Sequence, residues 1–567
     1  MQSRRGIILV VVLIVIVLLT LSVFTFSKFM MAQRRATDMT LRQTQARLLA
    51  ESGIEYLRAM LLKDQWTLLE LGGLYDNPDE FCGHIVTDGT VAMTGYTAGM
   101  QTSRNNIDFR DVGRFSVIAP ALSEDGMLFG EQIRFGLEDE SSKVNLRWIL
   151  QIDLVQPGTG RAVLMRLPGV TEEIADSILD WIDDSSYEPR EFGAKDEYYT
   201  SLDPPYYTRN GMPDFLDELL LVRGMTPKLL YGIDWNRNGI IDFGEPDEAS
   251  LAEFDVTDGS LNLGLIAYLT LDSRESTVTP DGLDKINVNM EDLEELRSLL
   301  DERFEDQTWV NYIISYRQTS QSEQNQAGSN TNLGSIIGGL LTGNDGGEST
   351  GGSGTSGGGT QINSLLDLVG GQGSPFTDDP DAMNEYLPLL YDNLMTSGTP
   401  VVGRININQA PRTVLELFTA REDELTDAAL LLGIGTDVAS DLFGGSTSFS
   451  QMDVWDIIER ILAERVSDPH LIEYPEMNYP FWVYTRGIIT DLAVMKQFEP
   501  YFCTQGAVFK ATVVGRFDER SPVSRLEVWL DAAEGGKLPQ IIRIRDISEL
   551  GPGYSAELLG ADEMVIR

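Results

Sequence analysis

Twenty consecutive residues, Ile7 to Phe26, carry no charge and no polar group beyond threonine and serine. As a helix rising about 1.5 Å per residue the run measures about 30 Å, the thickness of a bilayer's hydrocarbon core, so this chain is built to cross a membrane once. Arg4 and Arg5 precede the run and Lys28, Arg34 and Arg35 follow it, so the flanking charges do not fix its orientation. Ser22 to Phe29 offers no small-residue cleavage site, and the segment is expected to stay attached. Beyond the bilayer Leu41, Ala46, Leu49, Ala50, Gly53, Ile54, Leu57 and Leu61 recur largely at three- and four-residue spacings, which predicts a helix with one packed face. Periodicity alone leaves two readings: one long helix over 7–63, or a signal anchor followed by a separate amphipathic helix.

The chain has 567 residues, enough for two or three domains with substantial cores. Its formal net charge of −44, from 87 acidic and 43 basic side chains, repels phosphate backbones, so no nucleic acid is expected as a partner. Catalysis has little to draw on. There are two histidines, His84 and His470, no Gly-x-Ser-x-Gly elbow beside a placed histidine and no phosphate loop, and neighbouring carboxylates such as Asp183 and Asp184 point apart on a helix. The chain is therefore read as a non-enzyme. Its two cysteines, Cys82 and Cys503, are open to one long-range disulfide in an oxidising compartment or to two buried thiols.

Asp234-Trp-Asn-Arg-Asn-Gly-Ile-Ile-Asp-Phe-Gly-Glu satisfies the constrained positions of a twelve-residue EF-hand loop. Asp234, Asn236 and Asn238 supply side-chain oxygens at alternate positions, Gly239 permits the sharp turn, Ile240 offers its carbonyl, Asp242 acts directly or through water, and Glu245 closes the loop. Such a set suits calcium better than magnesium, and a lone loop of this kind predicts a structural ion. The alternative is an ion-free surface turn.

Phe109 to Ile118 and Glu131 to Leu150 alternate like sheet strands around a loop at Ala119 to Gly130, and Val508 to Arg516, Arg525 to Asp531 and Gln540 to Ile547 resume that pattern at the far end. The region between is helical in its periodicity. Lys143-Val-Asn-Leu, Lys285-Ile-Asn-Val-Asn and Arg404-Ile-Asn-Ile-Asn form a weak, unevenly spaced repeat. After the first comes Leu164-Met-Arg-Leu-Pro-Gly-Val, a tight turn between helices that resembles a helix-hairpin-helix unit, here crowded by acids and read as a packing device. Serine, glycine, threonine, asparagine and glutamine dominate Thr319 to Gly373, and this stretch is expected to form a disordered loop.

Arg4-Arg5-Gly6 before the apolar run, with Ala-Glu-Ser-Gly-Ile-Glu-Tyr-Leu at Ala50 to Leu57, resembles the start of a type IV pilin-like protein. The resemblance implies cleavage by a prepilin peptidase after Gly6, leaving Ile7 as a methylatable mature start. Most such subunits have glutamate at the fifth mature position; Val11 stands there, and the lack of that glutamate resembles the K-type minor pseudopilins of type II secretion. Asp180-Trp-Ile-Asp-Asp, Gly193-Ala-Lys-Asp-Glu-Tyr-Tyr and Asp217-Glu-Leu-Leu-Leu-Val-Arg-Gly-Met resemble further signatures of that family. Ser185 and Lys195 replace acids of a calcium-associated region, which weakens any second ion site near Asp183 and Asp196.

The fold class expected is α+β: a long N-terminal transmembrane helix, a small antiparallel-sheet pilin-like domain and a large inserted α-helical domain containing helix-hairpin-helix-like units. The divisions are 1–6 leader, 7–63 helix, 64–157 first part of the pilin-like domain, 158–470 insert with its low-complexity loop at 319–373, and 471–567 second part of the pilin-like domain. The resemblance implies a tip subunit of the secretion pseudopilus, held in the inner membrane with its large domain in the periplasm. Its implied partners are other minor pseudopilins, the secretion assembly platform and the prepilin peptidase. A signal-anchored extracellular binding protein is the alternative.

Overall fold

The computed structural model describes residues 4–86, 112–256, 258–318, 360–371, 373–418, 451–466, 474–517, 521–534 and 537–560. A single helix, α1 (Arg4–Met60), replaces the choice left open by periodicity. At about 1.5 Å per residue it is roughly 85 Å long. From Val10 to Phe26 its side chains are exposed, and the helix is long and apolar enough to span a membrane. Its C-terminal half buries Ala46, Ala50, Ile54, Leu57 and Met60.

Those residues pack on an antiparallel sheet whose strands come from both ends of the chain. The first four are β1 (His84–Ile85), β2 (Arg114–Pro120), β3 (Ile133–Arg134) and β4 (Glu138–Asp139). Then the chain leaves the sheet. Three short parallel strand pairs follow: β5 (Val144–Asn145) with β6 (Leu269–Thr270), β7 (Ile286–Asn287) with β8 (Leu394–Met395), and β9 (Ile405–Asn406) with β10 (Phe502–Cys503). It returns as β11 (Val508–Arg516), β12 (Ser524–Asp531) and β13 (Gln540–Asp546). The sheet order is β1-β2-β11-β12-β13, with β3 on β2 and β4 on β11. Because β2 pairs with β11, residues on either side of the helical region share one core, where Phe115, Val117, Val513, Leu526, Val528 and Leu530 meet the buried face of α1. Each such side chain contributes about 1.5–3 kcal/mol through apolar burial.

The parallel pairs give the weak sequence repeat a physical meaning. In each unit an aliphatic residue and an asparagine, just after a basic residue, form the opening strand, helices follow, and the closing strand returns beside the opening one. The asparagine caps the turn: Asn145 Oδ1 accepts from Arg147 N, Asn287 Oδ1 from Asn289 N, and Asn406 Oδ1 from Asn408 N. Leaving a parallel strand requires a crossover, and the helices supply it. Most of the buried residues of the three units join one continuous core.

Several expectations need correction. The helical region extends beyond 158–470, because its first strand pair opens at β5 and its last closes at β10; two-residue strands are too short to read from alternation. Glu131 to Leu150 is not one strand run: Leu146–Val155 is a helix, with Asn145 as its cap and Leu146, Ile149 and Ile152 buried on one face. The polar stretch 319–373 lies largely outside the described residues, yet its last part is ordered. Ile362, Leu365, Leu366, Leu368 and Val369 are buried, with a 3-10 turn at Leu365–Leu368 closed by a Ser364–Asp367 capping box. The disulfide allowed by the cysteine count is not formed. Both thiols are free: Cys82 faces Leu558 O, while Cys503 is buried in β10.

Candidate functional sites: a membrane helix and a cation loop

Gly6 and Ile7, where the leader would end, fall in the first turns of α1, and their side chains lie outside the described residues. Val11 is about half exposed, like its apolar neighbours from Val10 to Leu19. An apolar surface of this extent on a helix is compatible with lipid or with other apolar helices.

The second candidate, Asp234 to Glu245, begins just after the short helix Pro227–Tyr231 and is bent by Gly239, whose φ of 77° lies in the left-handed region. The loop folds around its own carboxylates. Asp234 is buried and accepts from Asn238 N at 3.1 Å and Gly239 N at 2.8 Å. Glu245 accepts from Asn236 N at 3.1 Å and Asp242 N at 2.9 Å. The side-chain amides of Asn236 and Asn238 both donate to Asp242, at 3.0 and 2.7 Å. Asn236 Oδ1 is left buried with no hydrogen-bond partner. Burial, opposed by the two backbone amides, pushes the Asp234 carboxyl up to about 6.

The loop is held from outside as well. Arg525 of β12, fully buried, donates to Asn236 O at 2.9 Å and Arg237 O at 2.7 Å. Tyr554 donates its hydroxyl to Asn238 O at 2.8 Å, and Ile241 N donates to Gly130 O at 2.7 Å. Sequence reading missed these supports. An arginine in an alternating strand carries no local sign that it points inward, and Gly130 is distant in the chain. Among the described residues no group of three or more His, Cys, Asp or Glu side chains converges in a metal-holding arrangement. The carboxylates of the loop are engaged by its own amides instead. The donor set of two aspartates, two asparagines, a carbonyl and a glutamate nevertheless fits an oxygen-seeking cation, and the stranded Asn236 oxygen and the buried Asp234 carboxylate are groups such an ion would satisfy.

The acidic region on and around the helix Glu172–Ile182 is different. Arg161 pairs with Asp176 at 2.7 Å, and Arg190 reaches Asp153, Asp180 and Asp183 at 2.9–3.1 Å. Lys195, itself buried, donates to Asp183 O at 2.7 Å and Asn210 Oδ1 at 3.0 Å, and Asp196 accepts from Thr208 N. Protein cations thus fill the space among these carboxylates, and the residues do not fit a divalent ion.

This region lies in the first of the three helical units, and residues 143–233 match the family model described as Type II secretion system (T2SS), protein K. That stretch is similar to type II secretion protein K. A second comparison agrees: 57 residues are 40% identical to the Type II secretion system protein K of Aeromonas hydrophila, covering 10% of this chain and 17% of that relative. The alignment therefore spans about a sixth of the relative's length. Both findings point to type II secretion protein K as what these parts of the chain resemble, and separately α1 is long and apolar enough to cross a membrane.

Proposed function

We propose that this chain is a non-enzymatic minor pseudopilin of type II secretion, a tip subunit of the pseudopilus that supports export across the outer membrane. The observation that carries the reading is the protein K match over 143–233, in a chain whose N-terminal helix can span a bilayer. On this reading the leader ends at Gly6, Ile7 begins the mature protein in the inner membrane, and the sheet and helical units lie in the periplasm. The sheet packed on α1 serves as the pilin-like part and the three helical units as its insert. Bulk favours the tip, because an insert running from β5 to β10 would clash with neighbours along a tightly packed shaft. The exposed apolar side chains of α1 would meet other minor pseudopilins and the assembly platform.

The test is coexpression with a prepilin peptidase, followed by intact mass and N-terminal peptide mapping. Protein beginning at Ile7, with a methylated amine, is expected. A chain that keeps Met1 to Gly6 while a control prepilin is processed would sink this reading in favour of a signal-anchored binding protein.

Asp234, Asn236, Asn238, Ile240, Asp242 and Glu245 would hold calcium. The ion would supply charge neutralisation inside the loop and stiffen it against Arg525 and Tyr554, a structural role with no chemistry of its own. At a calcium concentration 100-fold over Kd the gain in stability is about 2.7 kcal/mol. Chelation should lower the melting temperature of the wild type and leave Asp234→Asn unmoved; identical melting of wild type with and without calcium overturns the assignment.

A further inference from the structure

The three helical units open on equivalent basic residues: Lys143 precedes β5, Lys285 precedes β7 and Arg404 precedes β9. Two of them are doubly paired. Lys143 lies 3.0 Å from Glu138 and 2.9 Å from Glu140, and Arg404 lies 3.2 Å from Glu275 and 3.7 Å from Glu499. Lys285 is the exception: among the described residues its ammonium has no carboxylate within 4.0 Å and donates no hydrogen bond. Glu275 and Asp392 pull on it from farther away, but each is committed elsewhere, Glu275 to Arg404 and Asp392 to the Tyr479 hydroxyl at 2.9 Å. Burial pushes the Lys285 amine down from the usual lysine range.

Lys285 lines a cavity of about 500 Å³ between the end of α1, the second and third units and β10. Tyr479 and Gln505 contribute polar groups to the same wall and Leu61 and Leu68 an apolar one, while its rim carries further charge: Glu534 is paired with Lys537, and Asp281, Asp64 and Lys63 also line it. That volume lies in the range of small-ligand sites, which combine apolar walls with a few placed polar groups. A partly buried ammonium costs free energy until a counter-charge reaches it, and Lys143 and Arg404 each have two.

We propose that this cavity is a binding site for a carboxylate-bearing ligand, with Lys285 as the residue that receives the carboxylate. The carboxylate takes the place that Glu138 and Glu140 fill at Lys143. Either a small organic acid or an acidic side chain of a peptide segment supplies that chemistry, and the cavity admits both.

The test uses the full chain in detergent, with succinate and the peptide Gly-Asp-Gly as probes. Reductive methylation with labelled formaldehyde, read by peptide mass mapping, gives the rate at Lys285 and at Lys228, a half-exposed control already paired with Glu253. At a probe concentration ten times its Kd, modification of Lys285 should slow about tenfold while Lys228 is unchanged. Protection by succinate identifies a small-acid site, and protection by the peptide alone identifies a protein segment as the source. Equal rates at Lys285 with and without both probes overturn the proposal. Calorimetry on Lys285→Met provides the second arm: heat of binding should vanish, and undiminished binding would overturn the assignment even if protection were seen. Should that variant not fold, the methylation rates of the wild type decide alone.

Discussion

Gly53 marks the closest approach of α1 to the sheet. A Cβ there would lie 2.6 Å from Val513 Cγ1 and 2.8 Å from the Phe115 ring, and across the contact a Cβ on Gly515 would lie 2.1 Å from Ala46 O. Helix propensity favours alanine over glycine by about 1 kcal/mol, but forced overlap in a packed core costs about 1–3 kcal/mol. Gly53→Ala should therefore destabilise the protein, and chemical denaturation of the sheet unit checks the sign. The sequence showed Gly53 on the packed face of a helix; it did not show that Phe115 and Val513 would meet there, because the partners lie far along the chain. Arg525 and Lys195 were illegible for a related reason. Charged residues read as solvated, and only the fold places each beside buried acceptors.

At the scale of elements, the opening strands of the helical units are where the sequence was most and least readable. The recurring basic–aliphatic–asparagine triplets were visible, but their closing partners, Leu269–Thr270, Leu394–Met395 and Phe502–Cys503, share no motif and lie about a hundred residues further along the chain. Asn406 shows what the triplet does. It is fully buried, accepts from Asn408 N and donates to Asp139 at 2.7 Å, tying the third unit to the end of β4. Asn406→Ala strands the Asn408 amide and leaves the Asp139 carboxylate with two donors, Ser141 N and Gly506 N, instead of three, and should cost about 1–3 kcal/mol in an unfolding titration. The cation loop was the opposite case. Its motif stands in one stretch because an EF-hand loop is a local code, whereas Gly130 and the C-terminal segment that pack on it carry no such sign.

For the molecule as a whole, the first helical unit and the sheet meet through partly buried charge. Arg543 pairs with Asp272, Arg545 and Arg237 with Asp217, and Phe215 packs edge-on against Trp529. Burial pushes the Asp217 carboxyl up, but the Tyr231 hydroxyl and the charges of Arg545 and Arg237 outweigh it and hold the group below the usual aspartate range. A carboxyl whose folded-state pKa is depressed contributes stability that is complete above its unfolded pKa, near 4, and is lost as pH falls through the folded value. Acidification below about pH 4 should therefore loosen that unit from the sheet, and Asp217→Asn should remove that part of the pH dependence. Hydrogen exchange at β13 between pH 6 and pH 3 reads both effects.

The pairing of β2 with β11 also sets a timetable. β2 is complete at Pro120, but its neighbour begins at Val508, and at roughly 5–20 residues per second the roughly 390 residues between them take about 20–80 s to synthesise. Throughout that interval Ala46, Ala50, Ile54 and Leu57 have no finished sheet to cover them, while the helical units can close one after another as β6, β8 and β10 emerge. The packed half of α1 is made long before the strands that cover it and waits longest for its partner.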